Sequence, residues 1–309
     1  SRGSKMLRKI ISLVLVISMF MVTLVFGQAS SEMNVLAKIS AVELAVYGNE
    51  QTGSLVERLD KLEIDLYGNK TNDALMSKTD NLYAEINTNS TKPSLMTKIN
   101  AVEWAINKNV TSLPIKQRIE NNEKFIEGNI KTGALMDRLN SLTEMAFPGG
   151  VVNTAETLMT QDTLIKIKIM TPLNSKTARV GDIVNYQVAE DVFIDGKLVF
   201  VTGAEGQGKV SKVKQAQNFG RDAELEIDFE HLTAVDGQKL ATFLGDKAKE
   251  ETKSMAIAAG ATVAGLVVLG PVGIVTGAFI KGEDVKVPEG ALMYIQTKTE
   301  NTVYAIVTN

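Results

Sequence analysis

The sequence predicts an α + β protein in two regions: an array of six short helices, then a small β-barrel or sandwich carrying an apolar, glycine-rich helical hairpin. Three observations predict it. A 20-residue pattern recurs six times from residue 35 without insertion. The apolar period changes to two after residue 161. The stretch "MAIAAGATVAGLVVLGPVGIVTGAFI", Met255 to Ile280, contains no charged residue.

Composition bounds the chemistry. A chain of 309 residues suits two domains. A net charge of −3 provides no basic footprint for nucleic acid. With no cysteine there is no disulfide, no thiolate zinc site and no thiol nucleophile. The one histidine, His231, leaves little room for a Ser/His/Asp triad or a histidine metal cluster. The expectation is a protein without catalysis, cofactor or metal.

Residues 1–5, "SRGSK", read as a cloning remnant, and 6–29 as an export signal. Lys5, Arg8 and Lys9 make the positive end, Ile10 to Phe26 the apolar core, and Gly27 and Ala29 the small residues before a cut at Ala29–Ser30. An uncleaved anchor is the alternative, because the apolar core is near the lower length limit for spanning. Either way the protein is expected to be exported, to the cell envelope or outer-membrane periphery.

The helical array is assigned to 30–147. Its units start at 35, 55, 75, 95, 115 and 135. Such a fixed period is an architectural signal. Leu55, Leu59, Leu62 and Leu66 fall on one helical stripe. This predicts helices of about thirteen residues, roughly 20 Å long. Gly48 and Gly68 suit the C-terminal cap, and Ser54 or Ser94 the N-cap. So short a helix must bury its stripe against neighbours. The expected packing is a zigzag within the chain, or an array assembled between chains.

The fourth position of each unit is basic: Lys38, Arg58, Lys78, Lys98, Arg118 and Arg138. These residues could form a ladder for an anionic polymer such as a cell-wall polymer, or an ordinary solvated face. Residues 35–146 hold 13 Lys/Arg against 15 Asp/Glu, which favours the solvated face. Trp104 reads as a core edge or subunit contact. The array, with "RLDKLE" and "LYG" in its most typical unit, resembles repeats of uncharacterised exported bacterial envelope proteins. The resemblance implies an envelope location.

Residues 148–161 read as a linker, and 162–309 as a β domain with an insertion at 246–281. "LIKIKIM", "DIVNYQV", "KLVFV", "GKVSKV", "AELEIDFEHL", "QKLATFL", "ALMYIQT" and "TVYAIV" read as strands. In "AELEIDFEH", parity places Leu225, Ile227, Phe229 and His231 on one face and Glu224, Glu226, Asp228 and Glu230 on the other. The acid row could bind a cation or act as acid and base, but a solvated strand gives the same row. "GAEGQGKV", Gly203 to Val210, nearly fits a phosphate-binding loop. It lacks the final Ser/Thr, and the next residues, "VSKVKQ", are strand-like where that loop must open a helix. No nucleotide is expected.

The order of Gly203, Gly208, Leu225, Ile227, Phe229, Leu232, Asp236 and Gly237, followed by an Ala/Gly-rich apolar segment, resembles the TrbI-like barrel of type IV secretion outer-membrane channels. Thr202 and Ala204 depart from that pattern, standing where the family has Pro and Thr. The resemblance implies a barrel from which a helical hairpin emerges to help build a membrane pore.

As one helix, 255–280 would reach about 39 Å, enough for a hydrocarbon core of about 30 Å. Gly270-Pro271 interrupts it, and strands on both sides require its ends to return together. A hairpin with arms of about 22 and 14 Å is expected. Ala256, Gly260, Ala264, Gly273 and Gly277 permit close helix packing, and Leu266, Leu269 and Phe279 add apolar contact. These residues are expected to touch membrane lipid, an envelope protein or sister chains in a homo-oligomer, with internal burial as the alternative. The functional expectation is a structural envelope protein with the array as spacer or interaction arm. The alternatives are an outer-membrane pore subunit and a module binding a cell-wall polymer.

Overall fold

A computed structural model describes residues 33–215, 223–258, 274–275 and 285–308. Residues 6–29, expected to be an export signal, lie outside them, as does most of the apolar tract. Among the described residues, six helices follow the 20-residue step: α1 (Val35–Tyr47), α2 (Leu55–Tyr67), α3 (Leu75–Asn87), α4 (Leu95–Asn107), α5 (Ile115–Glu127) and α6 (Leu135–Ala146).

Their ends are dictated by the sequence. The Ser54 hydroxyl accepts the Glu57 N–H at 3.3 Å, while the Glu57 carboxylate accepts the Ser54 N–H at 2.8 Å. This reciprocal pair satisfies two donors that α2 would otherwise leave open. Gly68 closes the same helix at φ +79, where a side chain would be strained. The apolar stripes meet in one shared core, including Ile39, Leu59, Leu82, Ile99, Ile119 and Leu139. Burying each such side chain contributes about 1.5–3 kcal/mol.

The array is not a flat zigzag, in which each helix would touch only its sequence neighbours. α1 packs on α3 and α5 as well as α2, and α6 packs on α2 and α4 as well as α5. Helices far apart in the chain therefore close one core within a single molecule.

Residues 148–161 are more than a linker. They contain β1 (Thr154–Met159), which pairs antiparallel with the last strand. The next strands are β2 (Leu164–Ile169), β3 (Leu173–Asn174), β4 (Ile183–Val188), β5 (Val192–Ile194), β6 (Lys197–Phe200), β7 (Glu205–Lys214), β8 (Glu224–Thr233) and β9 (Lys239–Phe243). Helix α7 (Asp246–Ala258) precedes β10 (Ile274–Val275), β11 (Lys286–Val287), β12 (Leu292–Thr297) and β13 (Asn301–Val307). Among these, β8-β7-β4-β2-β12-β9 close into a six-stranded antiparallel barrel, because β9 pairs with both β12 and β8. The strands β1-β13-β6-β5 form a second sheet.

Close strand approach explains two glycines. A Cβ on Gly206 would lie 2.1 Å from the Tyr186 ring, and one on Gly208 would lie 2.3 Å from the Asp228 carbonyl oxygen. Next to Gly208 the β7–β8 register shifts, so Gln207 faces His231 and Lys209 faces Asp228. The parity expected for β8 holds at Leu225, Ile227 and Phe229, and this bulge inverts it beyond Phe229. Phe229 and Leu232 are buried in the core, and His231 does not share the face of Phe229.

From Val35 onward the chain is one compact unit. The array is docked on the β region and is not a free spacer. The Asn100 amide donates to the Val235 carbonyl at 2.8 Å, and the Trp104 indole to the Asp191 carboxylate at 2.7 Å. The Val110 N–H donates to the Thr202 carbonyl at 2.8 Å. Gly203, at φ +90, sits under this contact; its Cβ would fall 2.3 Å from the Val110 carbonyl oxygen. Trp104 is thus a core-edge residue, joining the array to the barrel core.

Candidate functional site

Four of the six basic positions of the array are buried, not solvated. Arg58 grips Glu43 through Nε–Oε1 at 2.8 Å and Nη2–Oε2 at 2.6 Å. Arg138 grips Glu123 in the same way, at 2.8 and 2.7 Å. Lys78 reaches Glu63 at 2.8 Å, and Arg118 reaches Glu103 at 2.7 Å. All eight of these side chains are buried. Each carboxylate also accepts a backbone N–H eight residues on, from Gln51, Thr71, Thr111 or Lys131. One glutamate therefore ties its own loop to the following helix. Buried charges persist only when paired and hydrogen-bonded in this way.

The remaining two basic positions differ. Lys38 bonds Asp80 at 2.7 Å. In the unit before Lys98 the ninth position is Tyr83 where four units place glutamate, and Lys98 donates to Asn140 at 3.0 Å. Burial lowers the Lys98 pKa. The ninth-position glutamates are the residues that the sequence reading missed. They recur at the repeat period, so alignment of the units holds the signal.

The acid row of β8 faces lysines across the ladder. Glu230 pairs with Lys209, Glu226 with Lys212 at 2.9 Å, and Glu224 with Lys214 at 2.8 Å. Among the described residues no group of three or more His, Cys, Asp or Glu could hold a metal. Burial, with Lys239 adding to it, lowers the His231 pKa. The glycine-rich 203–210 stretch leads into strand β7, without the helix N-terminus that a phosphate site needs.

Two described parts of the apolar tract, the end of α7 and Ile274–Val275, lie beside a seam in the barrel. β9 bridges β8 to β12 only at His231–Thr233 on one side and Gln296–Thr297 on the other. Beyond these residues no described strand pairs with both β8 and β12. Helix α7 packs on β12 and β2. The Ala248 N–H donates to Gln296 Oε1 at 3.0 Å, and the Thr252 hydroxyl accepts the Tyr294 N–H at 2.9 Å. A Cβ on Gly245 would strike the Gln296 amide at 2.1 Å. On the other wall, Ile274 and Val275 pair with Glu226 and Leu225 of β8.

Ala256 is buried on α7. Gly260, Ala264, Leu266, Leu269, Gly273, Gly277 and Phe279 lie outside the described residues. Among the described residues no helix is long and apolar enough to cross a membrane.

No family model matches the chain, and no curated protein matches it. Among solved structures it is similar to ComB10 of the Com type IV secretion system of Helicobacter pylori. The two are 19% identical, over 46% of this chain and 88% of that one, with a TM-score of 0.27. A TM-score of that size carries no argument about function.

Proposed function

We propose that the protein is a non-catalytic structural component of the bacterial envelope, whose barrel presents the uncharged tract 255–280 to membrane lipid or to sister chains. One observation carries this reading. The tract's two described feet, α7 and Ile274–Val275, stand on opposite walls of one barrel seam. A segment without charge, tethered at both ends to a folded base, suits apolar contact better than catalysis. Burial of Arg58, Lys78, Arg118 and Arg138 in ion pairs speaks against a polymer-binding ladder.

The test replaces 259–273 with a Gly/Ser stretch of equal length, leaving both feet in place. Cell fractionation and sizing in detergent then compare the two proteins. Loss of membrane association supports lipid contact. Loss of assembly with membrane association kept supports sister-chain contact. Rings that conduct in planar bilayers would favour the pore-subunit reading. If the replaced protein fractionates and assembles like the parent, the proposal fails.

A further inference from the structure

Four of the five joints between consecutive helices of the array carry a rung: Arg58–Glu43, Lys78–Glu63, Arg118–Glu103 and Arg138–Glu123. At each of these joints the glutamate also holds the loop between the two helices. Among the described residues, the joint between α3 and α4 has neither bond. Its ninth position is Tyr83, and Lys98 turns to Asn140 of α6. The loop at this joint, 88–94, is held from the far side instead. Asn89 accepts the Ser94 N–H at 2.9 Å and the Thr97 hydroxyl at 2.8 Å, both at the start of α4. Its amide donates to the Asp236 carbonyl of the β region at 3.4 Å.

The missing rung divides the polar network in two. Among the described residues, the side chains of 39–87 hydrogen-bond and ion-pair within 35–87, with one exception. The exception is Glu85, which meets Lys92 at 3.0 Å, and Lys92 is 70% exposed. The rungs of α4, α5 and α6 likewise stay within 95–147. This second half bonds the β region through Asn100, Trp104 and Val110. The halves are joined by packing of α1 on α5, α2 on α6 and α3 on α4 through the shared apolar core. Apolar contact is non-directional, and an exposed ion pair adds little. Parting any other two consecutive helices breaks hydrogen bonds to buried charges, which are the stronger kind. Parting α3 from α4 breaks none of them.

We propose that 35–87 is a cover that unfolds as one unit, separating at the loop 88–94, while α4, α5 and α6 keep their rungs and their place on the barrel. Opening uncovers the apolar stripes of the second half without loss of the barrel. The cover does not involve the 255–280 tract, so either proposal can fail without the other. The test is hydrogen exchange followed by mass spectrometry on the full-length protein. In the parent, the amides of α1, α2 and α3 are expected to exchange together, about tenfold or more faster than the slowest amides of α4, α5 and α6. Glu123→Ala removes a rung inside the second half, in a region that stays folded when the cover opens. It is expected to speed exchange in 95–147 about tenfold or more and to leave 35–87 within about twofold of the parent. One common rate across 35–147 in the parent overturns the proposal, as does a Glu123→Ala protein in which 35–87 accelerates as much as 95–147. Should Glu123→Ala fail to fold, Asn107→Ala takes its place, because it removes only the bond between Asn107 and Asn122 at 3.0 Å. A smaller acceleration confined to 95–147 is then expected, and an equal one in 35–87 overturns the proposal.

Discussion

The array and the barrel both set cations opposite carboxylates, but different surroundings give the pairs different worth. In the array, Arg58–Glu43 and Arg138–Glu123 are nine-tenths buried or more. In the barrel, Lys209–Glu230 is about half and one-third exposed. Water and salt screen the second kind, so each pair is worth about 0–1 kcal/mol. The first kind is costly to break, because removing one partner strands the other charge away from water. The array is therefore specified by polar rungs between repeats, and the barrel by strand pairing and close packing.

Removing one rung should break this contrast most sharply. Glu123→Ala leaves the Arg138 guanidinium buried without its carboxylate and is expected to cost about 3–5 kcal/mol in urea unfolding. A loss below about 1 kcal/mol would place that pair with the surface ones. The barrel's matching weak point is packing. Gly208→Ala drives a Cβ into the Asp228 carbonyl and should cost about 1–3 kcal/mol, with slower refolding as the readout of a disturbed bulge.

The docking between the two regions gives a third handle. Asn100→Ala removes the bond to Val235 and an acceptor of Arg118, for an expected loss of about 1–3 kcal/mol. If only the array loosens in hydrogen exchange, the contact is local; loosening of 233–238 as well shows that the regions are coupled.

Acid should separate the regions in the same direction. Burial pushes the Glu123 carboxyl up, but the bonds from Arg138 and the Lys131 N–H more than offset it and hold the pKa below the usual range. Burial also opposes ionisation of Glu63, where Lys78 and Thr71 outweigh it. A depressed carboxylate contributes stability above its unfolded value, about 4.3. That stability is lost as pH falls through the lower folded value. Helical signal should therefore fall below about pH 4, and a pH-independent helical signal down to strong acid would refute this. The smallest effect belongs to Lys209→Ala, expected to change barrel stability by less than about 1 kcal/mol, and by less still at high salt.

Much of the architecture was legible from local chemistry. The repeat period, the stripe Leu55-Leu59-Leu62-Leu66 and the caps at Ser54 and Gly68 depend on residues within one turn or one unit, and the helices obey them. Alternation located β2, β4, β8 and β12 for the same reason. For the site, the sequence by itself determined the uncharged tract and the need for its two ends to return to one β region. It could not decide which charges are buried. Arg58 and Glu43 sit on different helices, 15 residues apart, and only their packing distinguishes a rung from a solvated face. Tertiary structure likewise decided the β8 bulge that separates His231 from Phe229, the strand within 148–161 and the docking of Trp104 on Asp191. Each depends on a partner distant in the chain, and periodicity along one segment carries no information about that partner.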